Sequence, residues 1–254
     1  MLLAVAVENT RTLVGLIDEG TVKRHWWVGT DSRRTADEWA VLLEGLLTGE
    51  SPVSGIAVCS AVPHVLHELR DVVARYYRDV PSVVVEPGVK TGLPVLVDNP
   101  REVGTDRISN ALAAVHRFGA PCIVADFGTA TTVDVVNPGG AFVGGAIAPG
   151  IESSVDALGV SAAQLRRVEL VRPRSVVAKN TVEALQSGAI FGFAALVDGL
   201  ITRMIADQGL DRTTVTVVAT GALAPLVVPE CAQIDHHEPF LTLHGLHQAF
   251  ARNN

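Results

Sequence analysis

The chain has 254 residues, 48% hydrophobic and 19% charged, and its 20 basic against 27 acidic side chains leave a net charge of −7. That length exceeds one compact core and predicts two modest domains, and the lack of a basic stripe argues against a nucleic-acid partner. Cys59, Cys122 and Cys231 are odd in number and far apart, which predicts buried thiols in a reducing, cytoplasmic compartment rather than a disulfide framework. The N-terminal apolar run is broken by Glu8 and Arg11, so it reads as a strand and not a signal peptide. No apolar stretch of spanning length is expected elsewhere, and no membrane partner.

In chain order, residues 2–7 and 12–17 read as a hairpin of buried strands around "ENTR", and 22–30 as a third strand with Lys23 and His25 outward. The stretch 35–47 opens on a Thr cap with Glu38 three residues on, a capping-box helix. A strand (54–63), an amphipathic helix (64–77) and another strand (82–88) follow. A Pro/Asp turn at 98 leads to a helix from about Thr105, and Pro121 marks a boundary. The second half restarts with a hairpin at 122–137 and a strand at 141–150. It continues with helices from Ile151 and over 181–206, then a strand at 214–221 ending in a glycine turn. The shared plan predicts duplicated α/β domains, 1–118 and 119–254, flanking a cleft.

The opening "MLLAVAVENTRTLVGLID" and the later "CIVADFGTATTVDVVN" have the same shape. Overlaid, Ala6 falls on Asp126, Val7 on Phe127, Glu8 on Gly128, Asn9 on Thr129 and Thr12 on Thr132. Strand–acid–x–Gly–Thr–x–Ser/Thr–strand suits phosphate. Glycine admits close backbone approach, hydroxyls and turn N–H groups donate to the oxygens, and the acid holds a cation directly or through water. One copy alone is better read as an ordinary tight hairpin. Two in register, with the late "VVATGA" (217–222), point to nucleotide binding, and the pattern resembles the actin-like/acetate-kinase ATPase fold.

The segments "DNPREVGTDR", "DFGTATTVDVV", "GGAIAPGIE", "VRPRSVVAKNTVEALQSG" and "VVATGALAP" together resemble the type III pantothenate kinases, in order and spacing, from residue 1 to about 247. That resemblance implies an α/β fold of two actin-like domains (acetate/sugar kinase, Hsp70, actin, ribonuclease H-like) and transfer of the ATP γ-phosphoryl to the 4′-hydroxyl of pantothenate or a similar small hydroxy acid. It further implies Mg²⁺, a monovalent cation (K⁺ or NH₄⁺) and a homodimer. The family motif E-x-G-A-D-R reads "EVGTDR" here. Asp106 is then the implied general base and Gly104 and Arg107 substrate contacts, with Thr105 replacing the usual alanine beside them. Read without the resemblance, Asp106 caps its helix and pairs with Arg107. Asp126 matches the monovalent-cation ligand and Thr129, after Gly128, an ATP contact. Gly221 resembles the adenosine-side turn, and Gly144, Gly145 and Gly150 shape nearby turns. Thr181 matches a substrate contact reached across the dimer interface, with N-capping or first-turn placement as its structural alternative.

The first hairpin departs from the family's D-x-G-N-T-x-T. Asn9, Thr10 and Thr12 are kept as phosphate contacts, but Ala6 stands for the aspartate and Glu8 for the glycine. Losing a carboxylate near Mg²⁺ removes an anchor, and Glu8 sets a negative charge against the phosphates. Two readings stay open. Either Glu8 reaches the place of the missing aspartate and holds Mg²⁺, or the site is impaired, Arg11 pairing with Glu8. In the limit the chain is an inactive homologue that senses ligands or binds proteins. His236, His237, His244 and His247 lack a metal-binding set and read as solvated or capping. Trp26 and Trp27 read as packing or a dimer surface.

Overall fold

The computed structural model describes residues 1–161 and 168–254. The chain divides into two compact units, Met1–His116 with Phe240–Asn254, and Arg117–Pro239.

In the first unit, β1 (Leu2–Val7), β2 (Arg11–Asp18) and β3 (Thr21–Gly29) run antiparallel, and β4 (Gly55–Ser60) and β5 (Ser82–Val84) extend the sheet beside β1 in parallel, giving the order β3-β2-β1-β4-β5. Every residue of β1 is buried, as a central strand covered on both faces requires. One face packs Leu3, Val5, Val14, Leu16, Ile56 and Val58 against α1 (Ala36–Leu47) and α2 (Pro63–Tyr76), where Trp39, Leu43, Val65 and Leu69 are buried. Thr35 caps α1 with the expected reciprocal box. Trp26 packs against this cluster while Trp27 is exposed. The 3₁₀ turn Pro100–Glu102 leads into α3 (Thr105–Phe118).

The last helix, α7 (Leu241–Asn253), packs back onto this first unit. That corrects the expected 119–254 domain, because the strands of the first sheet supply seats for it. Side chains at Gly15 and Gly55 would meet Leu243 and the ring of Phe250, and one at Gly245 would strike the backbone of Ser109 on α3. Gly245→Ala is expected to lower stability by about 2 kcal/mol, since the overpacking exceeds the helix-propensity gain. Thermal unfolding checks this, and an unchanged or higher Tm would contradict it. His244 and His247 share α7 as expected, but both are half-buried. Burial, with His244 and His116 nearby, holds His247 below its usual value. Among the described residues no group of three or more His, Cys, Asp or Glu could hold a metal ion.

The second unit repeats the plan. β6 (Cys122–Phe127), β7 (Ala130–Val136) and β8 (Phe142–Pro149) are antiparallel, and β9 (Thr216–Thr220) and the short β10 (His236–His237) add in parallel, in the order β10-β9-β6-β7-β8. Its core joins Ile123, Phe127, Val133 and Val217 to α4 (Ile151–Ser161), α5 (Thr181–Asp207) and α6 (Ala224–Val227). α5 is long and apolar enough to cross a membrane by length and composition, contrary to the expectation of no such stretch. Its Ile190, Ala194, Val197 and Ile201 are buried in the core of this unit, which accounts for part of the apolarity, since 33% of the apolar window is buried.

The two hairpins differ by one residue. Val7 pairs with Thr12 and Phe127 with Thr131, so the turn between β1 and β2 is a residue longer. The structural counterpart of Thr12 is therefore Thr131 and not Thr132; both are buried.

Candidate functional site

In the first unit the site is built where three elements end together. Val7 closes β1 opposite Ser60, the last residue of β4. The Thr105 hydroxyl donates to the Ser60 carbonyl at 3.4 Å, and Ser109 donates back to the Thr105 carbonyl at 2.7 Å, so the first turn of α3 rests on the end of β4. The next residue, Asp106, folds its carboxylate back over Gly104, where any side chain would collide with Oδ1. The lack of a side chain at Gly104 leaves room for the acid in this position. Arg107 is half-buried beside it.

Glu8 follows Val7, and its N–H donates to the Arg11 carbonyl at 2.9 Å. Gly128 does the same in the second hairpin, donating to Ala130 at 3.1 Å. The two residues thus occupy equivalent places, as the overlay expected. Burial first, and then the negative charge of Asp106, push the Glu8 carboxyl up to about 7, with Arg11 pulling it down. The carboxylates of Glu8 and Asp106 therefore act on one another, and both also raise the buried Cys59 thiol, which burial alone lifts most. Cys59 is the buried free thiol that the sequence led one to expect, though not as a neighbour of these acids; Ser109, its hydrogen-bond partner, was not singled out, and the i, i+4 spacing of Thr105 and Ser109 was the available signal. Asn9 and Thr10 are exposed at the turn. Thr12 is buried, and its hydroxyl shares a 2.8 Å hydrogen bond with that of Thr30.

The raised Glu8 value has a sign that can be tested. The fold prefers the protonated acid, so stability from this group is full below its ordinary value of 4.5 and is lost as pH rises through about 7. In metal-free protein, Glu8→Gln is expected to gain up to about 3 kcal/mol over the native chain at pH 8 and nothing at acid pH. Melting curves from pH 5 to 8 check it, and a pH-independent difference would refute the coupling.

In the second unit the turn at Gly128 and Thr129 is enclosed by two glycines. A side chain at Gly150, before α4, would strike the carbonyls of Thr129 and Gly128, and Ser153 donates to the Thr129 carbonyl at 3.3 Å. At Gly221 (φ +98°) a side chain would lie 2.5 Å from Asp126 Oδ1 and 2.6 Å from the Phe127 backbone, and Leu223 N–H reaches the Phe127 carbonyl at 3.1 Å. Asp126, Gly128, Thr129 and Gly221 are thus brought together in one unit. Gly145 lies against the backbone of Val133 and the buried Asp134, a carboxylate that accepts from Thr132 at 3.3 Å and was not expected from sequence. Thr181 is the exposed first residue of α5; Asn180 is the cap, accepting from Glu183 N–H at 2.9 Å, so first-turn placement is the correct alternative.

A family model described as type III pantothenate kinase matches residues 2–203. The chain belongs to the type III pantothenate kinase family. A protein of that name from Streptomyces griseus is 58% identical over 262 residues, covering 100% of this chain and 98% of its own. One from Nocardioides sp. is 59% identical with 99% of both covered, and one from Thermobifida fusca is 55% identical with 100% of both covered. Among solved structures, the ROK hexokinase of Thermus thermophilus (TM-score 0.54, 13% identity) and the inorganic polyphosphate/ATP-glucomannokinase of Arthrobacter (TM-score 0.54, 14% identity) each match over 100% of this chain and 99% of theirs. At such identities they speak to the fold, which is that of two α/β actin-like domains.

Proposed function

We propose that this family member phosphorylates the 4′-hydroxyl of pantothenate with ATP. The observation that carries the reading is the Asp106 carboxylate, set at the start of α3 over Gly104 and beside the first hairpin. The hydroxyl oxygen attacks the γ-phosphorus, its proton passes to Asp106, and the bond from the γ-phosphorus to the β–γ bridging oxygen breaks to release ADP. Phosphoryl transfer asks mainly for positioning and charge neutralisation, so Asp106 needs no unusual basicity. Gly104, Thr105 and Arg107 contact the acid. Asn9 and Thr10 present the first turn to the phosphates, with Thr12 supporting them from behind through Thr30. Gly128, Thr129 and Gly221 are the nucleotide contacts to which the family's motifs point.

Hard oxygen donors suit the cations of this reading. Mg²⁺, an ion that neutralises phosphate charge when bound, would be held by ATP itself, Glu8 being a carboxylate at the phosphate turn that works against the phosphates unless it is protonated or metal-bound. Asp126, kept close to the Gly221 turn by the lack of a side chain there, fits K⁺ or NH₄⁺. The active form is a homodimer in the cytoplasm, with Thr181 offered to the partner's site. Exposed Val182 and Leu196 on α5, the helix that Thr181 begins, support that surface.

The test is coupled ADP release from purified protein with millimolar ATP, Mg²⁺, pantothenate and either K⁺ or Na⁺, alongside light scattering for mass. Pantothenate-dependent, K⁺-stimulated turnover by a dimer is expected. ADP release indifferent to pantothenate would sink the kinase reading.

A further inference from the structure

The end of β3 is tied to the turn of the first hairpin. Arg11 and Gly29 are register partners, the Thr30 N–H donates to the Thr10 carbonyl at 3.0 Å, and the Thr30 hydroxyl meets that of Thr12 at 2.8 Å. Residues 30–34 run on from there to Thr35, the cap of α1, so the segment is held against the turn that presents Asn9 and Thr10. It carries two arginines. Arg33 is taken by Asp31, with Nε on Oδ1 at 3.1 Å and Nη2 on Oδ2 at 2.9 Å. Arg34 is half-buried and folds back: Nη1 donates weakly to the Gly29 carbonyl at 3.5 Å, and the guanidinium lies 4.7 Å from the centre of the Trp39 ring. Among the described residues no carboxylate pairs with it. Asp31 feels it less than it feels Arg33, Glu38 accepts from the Thr35 N–H at 2.8 Å, and Glu68 accepts from the Ala36 N–H at 2.7 Å. Stacking on an indole fixes the plane of a guanidinium and leaves the N–H groups at its edge for an anion.

We propose that Arg34 is a further phosphate-binding residue, reaching from the segment after β3 to the phosphate chain of ATP at the first turn, with Thr30 holding that segment in position. The inference rests on the kinase reading, because it needs ATP at this hairpin. The turn carries Glu8 where the second hairpin has Gly128, so the phosphates arrive beside a carboxylate that Arg11 counters. A second cation next to the turn offsets the remaining repulsion. Arg34 is the arginine of this segment not already spent on a carboxylate. A guanidinium binds two phosphate oxygens through parallel N–H groups, so a lysine restores the charge but neither the fork nor the flat stacking on Trp39.

The experiment determines KM for ATP and for pantothenate at pH 8 in the native chain, Arg34→Ala, Arg34→Lys and Arg33→Ala. Arg34→Ala is expected to raise KM for ATP at least about tenfold while KM for pantothenate stays within about twofold. Arg34→Lys should recover part of the loss, and Arg33→Ala should leave both constants within about twofold. An equal rise for both substrates would mark a structural role, no rise for ATP an idle surface charge, and the same rise in Arg33→Ala an effect of net charge; each overturns the assignment. If the native chain shows no pantothenate-dependent turnover, the kinase reading fails on its own. Calorimetric titration with ATP and Mg²⁺ then decides the role of Arg34: binding that Arg34→Ala weakens at least about tenfold upholds it, and binding that is absent or unaltered rejects it.

Discussion

Asp106→Asn is expected to lower pantothenate-dependent kcat by at least ~10²-fold, the range set by removing a positioned general base. The substitution is nearly isosteric, so the side chain still folds over Gly104 and α3 still starts at Thr105. What disappears is the capacity to accept the hydroxyl proton. Pantothenate affinity by calorimetry should stay within a few-fold, because the contacts assigned to Gly104, Thr105 and Arg107 remain. Loss of binding together with turnover would mean that Asp106 holds the substrate rather than activating it. A kcat within fivefold of the native value would remove it from the base role altogether.

The second large effect concerns the first hairpin. The double change Ala6→Asp with Glu8→Gly is expected to lower KM for ATP about tenfold or more at pH 8 and to raise kcat. At ~4 Å two unit charges interact by about 1 kcal/mol in water and roughly 4 at an effective dielectric of 20, so one carboxylate against the phosphates is costly. Because burial and Asp106 push Glu8 up to about 7, the native penalty is absent when Glu8 is protonated and grows as pH rises through that value. The native KM for ATP should therefore increase from pH 6 to 8 while that of the double variant changes little. If the double variant instead loses affinity and turnover, Glu8 is a working cation ligand and the hairpin is rearranged rather than impaired. The relatives, which match the whole chain and carry the kinase name, lend nothing to an inactive homologue.

Much of this was legible from residues. Buried strands separated by a small polar turn, repeated once, gave two α/β sheets of one topology, and the Thr35 box fixed the start of α1. The position of Glu8 as the counterpart of Gly128 was readable, since both directly follow a strand. Thr12 was misplaced by one because turn length is set by backbone geometry, and Asn9–Thr10 adds a residue that composition does not register. Proximity of Glu8 to Asp106 was illegible for a different reason. Nearly a hundred residues separate them, and only the parallel pairing of β1 with β4, followed by the seating of α3 on Ser60, brings them together. The membership of α7 depended likewise on Gly15 and Gly55, whose missing side chains look like ordinary strand irregularities until Leu243 and Phe250 occupy the space.

That return of α7 orders events during synthesis. The second unit is one uninterrupted stretch, residues 117–239, and is complete once its last strand leaves the ribosome. The first unit begins earlier but still lacks the helix that covers Gly15 and Gly55 until residues 241–253 emerge. The half of the protein made first is thus finished last. Its apolar face stays open to solvent and to chaperones throughout translation of the half that follows, which is when an unfinished unit is most exposed to aggregation.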